Sequence, residues 1–176
     1  MSAEFAFTTS RIEVTLDRIT AALSWVWLAL ISVIVLAVVL RYVFSIGLIQ
    51  LEELQWHLYA LGFLTGLVAC TTRDRHVRVD VLRERMSQRT RDWVDLYGIL
   101  LLQLPFLVLV FWSALPFAAD SFAVGERSAS AGGLPFRWLL KSVLPLSFVL
   151  LGVATLSQLV QVWRRLFDDL VSSERE

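Results

Sequence analysis

Glu52, Glu53 and His57 are the residues of this chain whose types and spacing come closest to proton or metal chemistry. Glu53 and His57 lie four residues apart, so on a helix they share a face and can pair. Such a pair can relay a proton, and a histidine inside a bundle can ligate haem. A bis-histidine haem needs a second histidine at membrane depth, and the other histidine of the chain, His76, lies outside the apolar runs. The competing reading is an interfacial one. His57 sits about one turn inside the edge of an apolar run, where an imidazole meets headgroups or a partner. Acids in a first turn suit the helix dipole. Adjacent residues on a helix point to different faces, so one of the two glutamates is free to meet a basic group on another helix or subunit. There is no phosphate loop, no H-E-x-x-H, no cysteine pair beside the single Cys70 and no nucleophile–base set. The sequence therefore predicts neither an enzyme nor a resident cofactor or metal.

These residues must be positioned by very apolar elements. Of 176 residues, 57% are hydrophobic and 18% charged, against about 45–50% and about 25% in soluble domains. Equal numbers of basic and acidic residues, 16 each, leave no basic footprint for nucleic acid. All 32 charges fall outside four runs, 19–40, 54–72, 96–119 and 142–163. Each run is close to the 20 or so helical residues that cross a hydrocarbon core of about 30 Å. A soluble bundle would carry charge on the outer face of each helix. The predicted fold is thus an all-α membrane protein, one domain over 1–176, with these four runs as its transmembrane helices. The first run is too long for a cleaved signal, and no small-x-small site follows it.

Lys and Arg number 2 before the first run, 1, 7 and 3 in the successive connections, and 3 in the tail. Short loops rich in Lys and Arg stay cytoplasmic, so both termini are expected inside. Trp25, Trp56, Trp93, Trp138 and Trp163 lie near run boundaries, as interfacial aromatics do, whereas Trp112 lies deep. In the basic middle connection, apolar residues recur at helical spacing between Arg83, Arg85, Arg89 and Arg91. That pattern predicts an interfacial amphipathic helix over about 78–93, its arginines and Trp93 anchored in the headgroup region. Gly62 and Gly66 form a G-x-x-x-G that lets another helix approach closely. Gln103, Gln158 and Gln161 are candidates for interhelical hydrogen bonds, Gln161 also lying within reach of headgroups. The midplane lacks the ionisable groups of a pump, and no inverted repeat marks a substrate site. The pattern is that of a scaffold beside something that transports or reacts.

Two stretches and the layout resemble a known family. One is LEELQWHLYALGFLTGLVACTTRDRHVRVDVL, residues 51–82, in which H-x-R-V-D follows a Gly-containing helix opened by paired glutamates. The other is GERSASAGGLPFRWLLKSVLPLSFVLLGVATL, residues 125–156. With four spans and both ends inside, the chain resembles the small, DctQ-like membrane subunit of tripartite ATP-independent periplasmic (TRAP) transporters, over about 18–165. It is most similar to the subset labelled mannitol/chloroaromatic type, from which Ser147 departs where that subset has Gly.

The resemblance implies a subunit of a secondary transporter that takes up organic acids across the bacterial inner membrane. A periplasmic binding protein captures the substrate. A large elevator-type subunit holds the substrate and ion sites, usually for sodium, and the small subunit anchors it. It further implies that Glu52, Glu53, His57, Gly62, Gly66, Glu126, Ser128, Arg137, Trp138 and Lys141 lie near partner surfaces, and that His76, Arg78 and Asp80 order the inner loop. The competing expectation is a haem- or quinone-associated anchor of a respiratory complex, supported by His57 alone. A third is a stand-alone four-span assembly protein.

Overall fold

The computed structural model describes residues 2–72 and 86–173, and within them the regular elements are helical, without a strand. Helix α1 spans Ser2–Leu23 and α2 spans Val26–Val43. Helix-like hydrogen bonds bridge the turn between them, from Ser24 N–H to Thr20 C=O (3.0 Å) and from Ala29 N–H to Trp25 C=O (3.1 Å). Helix α3 spans Ile49–Thr72. Helix α4, Gln88–Tyr97, runs through a π-helical turn, Gly98–Gln103, into α5, Leu104–Ala123. Helix α6 spans Arg137–Ser173. Pro105 is the second residue after the π turn and has no N–H to give the preceding turn, so the ladder is already rearranged where proline would break it.

Among the described residues, three stretches are long and apolar enough to cross a membrane: Glu13–Val43, Gln88–Ala123 and Arg137–Phe167. They contain three of the predicted runs, 19–40, 96–119 and 142–163. The fourth run, 54–72, falls in α3, a continuous helix of 24 residues. At 1.5 Å per residue it is about 36 Å long, enough to span. It is less apolar than the other three and is not among the stretches that meet both the length and the composition for crossing a membrane. It packs against α1, α2 and α6, and Gly62, Thr65, Val68 and Thr71 are buried along it. The Thr65 and Thr71 hydroxyls donate to carbonyls one turn back, Leu61 at 2.8 Å and Leu67 at 3.0 Å, which satisfies them inside the bundle. Helix α3 also exposes Trp56, Tyr59 and Phe63, as α2 and α5 expose Leu28, Ile31, Val35, Val108 and Leu109.

The core has two centres. Leu16 of α1, Val68 of α3, Leu107 of α5 and Leu151 and Ala154 of α6 form one. Leu96, Ile99, Val162 and Leu166 form the other, with Trp93 and Phe167 packed on it. Three glutamines lace the helices together. Gln103 donates to the Thr155 hydroxyl at 2.9 Å, Gln158 to the Thr71 carbonyl and Gln161 to the Glu13 carboxylate. Gln161 is thus turned to α1 rather than to headgroups.

The predicted interfacial helix over 78–93 is corrected where the structure describes it. Residues 73–85, with His76, Arg78, Asp80, Arg83 and Arg85, lie outside the described residues. Met86 and Ser87 are not helical, and Ser87 is extended (φ −63°, ψ 154°). Its hydroxyl accepts the Thr90 N–H at 3.3 Å, so a new helix is capped there and leads directly into a span. The helix ahead of the first span, α1, was not anticipated from the sequence; its Leu16 and Thr20 are buried.

Candidate functional site

The α2–α3 and α5–α6 connections meet at one end of the bundle, and the first turns of α3 hold them together. Glu53 is buried, at 5% exposure. One carboxylate oxygen accepts the Ser128 hydroxyl and the other accepts the Leu134 N–H at 2.7 Å. Gln50, on the same face one turn earlier, donates to the Gly132 carbonyl. Within the 124–136 loop, Ser128 N–H reaches Leu134 C=O (3.3 Å) and Gly133 N–H reaches Ser130 C=O (3.0 Å). The Arg137 N–H returns to Glu126 C=O at 3.1 Å as α6 begins. The loop is therefore wrapped on a carboxylate.

Gly133 is required by that close approach. A Cβ there would stand 2.8 Å from the Glu53 Oε1 and 2.5 Å from the Ser128 Oγ. Phe136, which precedes α6, takes a positive φ of 71° with its ring exposed. For an aromatic residue this conformation is strained and must be held by its surroundings. The chain is held on either side of it: Leu134, two residues before, by Glu53, and Arg137, directly after, by Glu126. Lys141 pairs with the Glu126 carboxylate and lies 4.2 Å above the Phe117 ring. Trp138 packs edge-on against Phe122, centroids 5.0 Å apart.

The Ser128 hydroxyl, with the Leu134 N–H and the charges of Arg137 and His57, holds the Glu53 carboxyl below its ordinary value of 4.5 against the opposing effect of burial. The bond from Lys141 does the same for Glu126. Both stay ionised at neutral pH. A carboxylate whose two oxygens already accept hydrogen bonds is a poor proton acceptor and a good clasp.

The structure brings Glu53, Glu126, Ser128, Arg137, Trp138 and Lys141 together at this end. Glu52 points elsewhere and pairs with Arg41 at the end of α2, so the two adjacent glutamates serve different faces. The Glu53–His57 side-chain pair is not formed. His57 Nδ1 donates to the Glu53 backbone carbonyl at 2.7 Å, because the carboxylate is occupied by the loop. The two glycines of the G-x-x-x-G also differ. A Cβ on Gly62 would stand 3.0 Å from the Trp27 ring of α2, whereas one on Gly66 would meet nothing within 4 Å. Arg89 is exposed. Arg91 Nε donates to the Met86 carbonyl at 3.1 Å, and Trp93 stacks with Tyr97 and meets Phe167 edge-on. Gln50 and Trp27 were missed from the sequence. Gln50 carried a signal, three residues before Glu53 on one helical face.

The family model of tripartite ATP-independent periplasmic transporters, DctQ component, matches residues 12–165 of the chain. Among curated proteins, none matches it.

Proposed function

We propose that this chain, which belongs to the family of DctQ components of tripartite ATP-independent periplasmic transporters, is the fixed footing for a larger membrane subunit that carries organic acids inward. A DctQ component is the small membrane subunit of such a transporter and not an enzyme. That assignment leaves His57 without the haem-anchor role that its position in an apolar run suggested. On this reading the large subunit holds the substrate and the coupling ion, sodium in the usual case, and a periplasmic binding protein delivers the substrate.

The observation that carries the reading is the charge-free depth of the runs 19–40, 54–72, 96–119 and 142–163. Ion and carboxylate transport need ionisable or polar relays at mid-membrane. Here the polar side chains Gln103, Thr155 and Gln158 are engaged across helices instead. A bundle laced in this way resists deformation, which an elevator needs from its stationary part. In this reading α3 is the fourth span and both termini are cytoplasmic, in keeping with the Lys and Arg distribution. The Glu53 clasp then faces the periplasm. Its residues, with Gly66, belong to surfaces near the partners, whereas Gly62 is taken up by Trp27 of this chain. Arg89 and the arginines at 83, 85 and 91 anchor the inner face to lipid, and His76, Arg78 and Asp80 order the loop there.

Co-expression with the cognate large subunit tests the proposal. A stable complex isolated through a tag on this chain supports it; a chain that purifies without that subunit, or with a Soret band, contradicts it.

A further inference from the structure

A concave site lies between α2 and α3. It has a volume of about 410 Å³ and is lined by Ile34, Ala37, Val38, Arg41, Tyr42, Glu52, Gln55 and Trp56. Its polarity is graded. Ile34, Ala37, Val38 and Arg41 follow one another on one face of α2, so the wall descends from a guanidinium to aliphatic side chains over about 10 Å at 1.5 Å per residue. On α3, Glu52, Gln55 and Trp56 share the opposite wall. Arg41 and Glu52 pair across the mouth while both stay open to the surroundings, at 56% and 38% side-chain exposure. An exposed pair of this kind contributes little to folding, and Arg41 has five N–H donors, only some of which Glu52 can occupy.

We infer that this groove binds a membrane phospholipid with a zwitterionic, primary-amine headgroup. The phosphate meets Arg41, the ammonium meets Glu52, and the Gln55 amide faces the glycerol esters. The first methylenes run along Ala37, Val38 and Ile34 beneath the Trp56 ring. A neutral ion pair complements a neutral headgroup charge by charge, and the apolar floor gives the acyl chains a surface that a soluble partner docking at the mouth cannot reach. Trp56 and Tyr42, 60% and 79% exposed, are amphipathic aromatics suited to that depth. Assignment to the outer leaflet rests on the orientation proposed above; the binding site itself does not.

The test uses the full-length chain, delipidated in detergent and titrated with phosphatidylethanolamine, phosphatidylglycerol or soluble O-phosphoethanolamine. Bound lipid is counted by native mass spectrometry. Phosphatidylethanolamine is expected to be retained about threefold to fivefold over phosphatidylglycerol, the range of an exposed charge pair. Glu52→Gln should erase that preference, and Arg41→Gln should weaken both lipids. Ala37→Trp, which fills the floor and leaves the ion pair intact, should weaken both as well and keeps the test valid if Arg41→Gln misfolds. Equal retention of the two lipids by the unmodified chain would overturn the assignment. So would wild-type retention in all three variants, competition by O-phosphoethanolamine as strong as by the lipid, or self-association of the unmodified chain that Ala37→Trp abolishes, which would make a second copy the occupant. Cysteine labelling at the mouth from each side reports orientation separately, so a wrong leaflet and a wrong ligand give different results.

Discussion

The Glu53 carboxylate accepts the backbone N–H of Leu134 at 2.7 Å, across 81 residues of sequence. The bond ties the first turn of α3 to the residue just before Pro135, where the chain turns into α6. With the Ser128 hydroxyl on the other oxygen, one side chain fixes the loop that connects α5 to α6. A buried carboxylate used in this way makes the loop a rigid surface rather than a tether.

Glu53→Gln should release that loop. The amide has one acceptor oxygen where the carboxylate has two: with that oxygen on the Leu134 N–H, its NH₂ can meet Ser128 only by donating to an Oγ that already accepts the Ser130 N–H, and the charge assistance of both original bonds is lost. Hydrogen exchange across 126–136 should accelerate by roughly tenfold, the scale of local opening when a partnered amide is freed. Exchange within α5 and the middle of α6 should stay unchanged. Exchange indistinguishable from wild type would show that the loop holds itself.

Acid should loosen the same end. Glu53 and Glu126 have lowered pKa values in the folded chain. Their contribution is therefore present above the ordinary carboxylate value of 4.5 and is lost as pH falls through the folded values below it. Trp138 fluorescence, read through its packing on Phe122, should be flat from neutral pH to about pH 5 and change below that. In Glu53→Gln the transition should shrink. An unchanged acid transition in that variant would remove Glu53 from the account.

Gly62 and Gly66 should respond differently to the same substitution. Leucine at Gly62 collides with Trp27, and overpacking of this kind costs about 1–3 kcal/mol. Leucine at Gly66 meets open space and should cost less than about 0.5 kcal/mol. Trp27→Ala combined with Gly62→Leu should recover part of the loss. Thermal midpoints in detergent check the order, and equal effects at the two glycines would contradict it.

The glutamine lacing predicts small, coupled losses. Gln103→Leu and Gln158→Leu should each cost about 0.6 kcal/mol, and no more than about 1.7 kcal/mol, as interhelical hydrogen bonds in membranes do. The double variant should show coupling, since Thr155 and Gln158 lie one turn apart on α6 and the two bonds are neighbours. Unfolding in mixed micelles measures both.

Periodicity and charge exclusion made much of this fold legible, because lipid forbids charge wherever it touches a helix. The same reasoning treated 54–72 like the other runs. In the structure that helix packs against α1, α2 and α6, and its buried Thr65 and Thr71 record protein neighbours that a hydropathy window averages away. The stop at Met86–Ser87 was hidden by a continuous apolar spacing, since a serine cap leaves no gap in hydrophobic period. The glutamates at 52 and 53 were correctly split between two faces. Their partners, Arg41 and the 128–134 loop, depend on tertiary contacts that no spacing rule reaches. Likewise, nothing in G-x-x-x-G says that Gly62 meets a tryptophan while Gly66 meets nothing.

Uptake of a labelled carboxylate into proteoliposomes tests the central claim most directly. The vesicles would hold the cognate large subunit, with its binding protein outside and an inward sodium gradient, with and without this chain. Uptake that requires both membrane chains, together with no uptake by this chain alone, is the predicted result. Full uptake by the large subunit in the absence of this chain, or uptake by this chain without the large subunit, would contradict it.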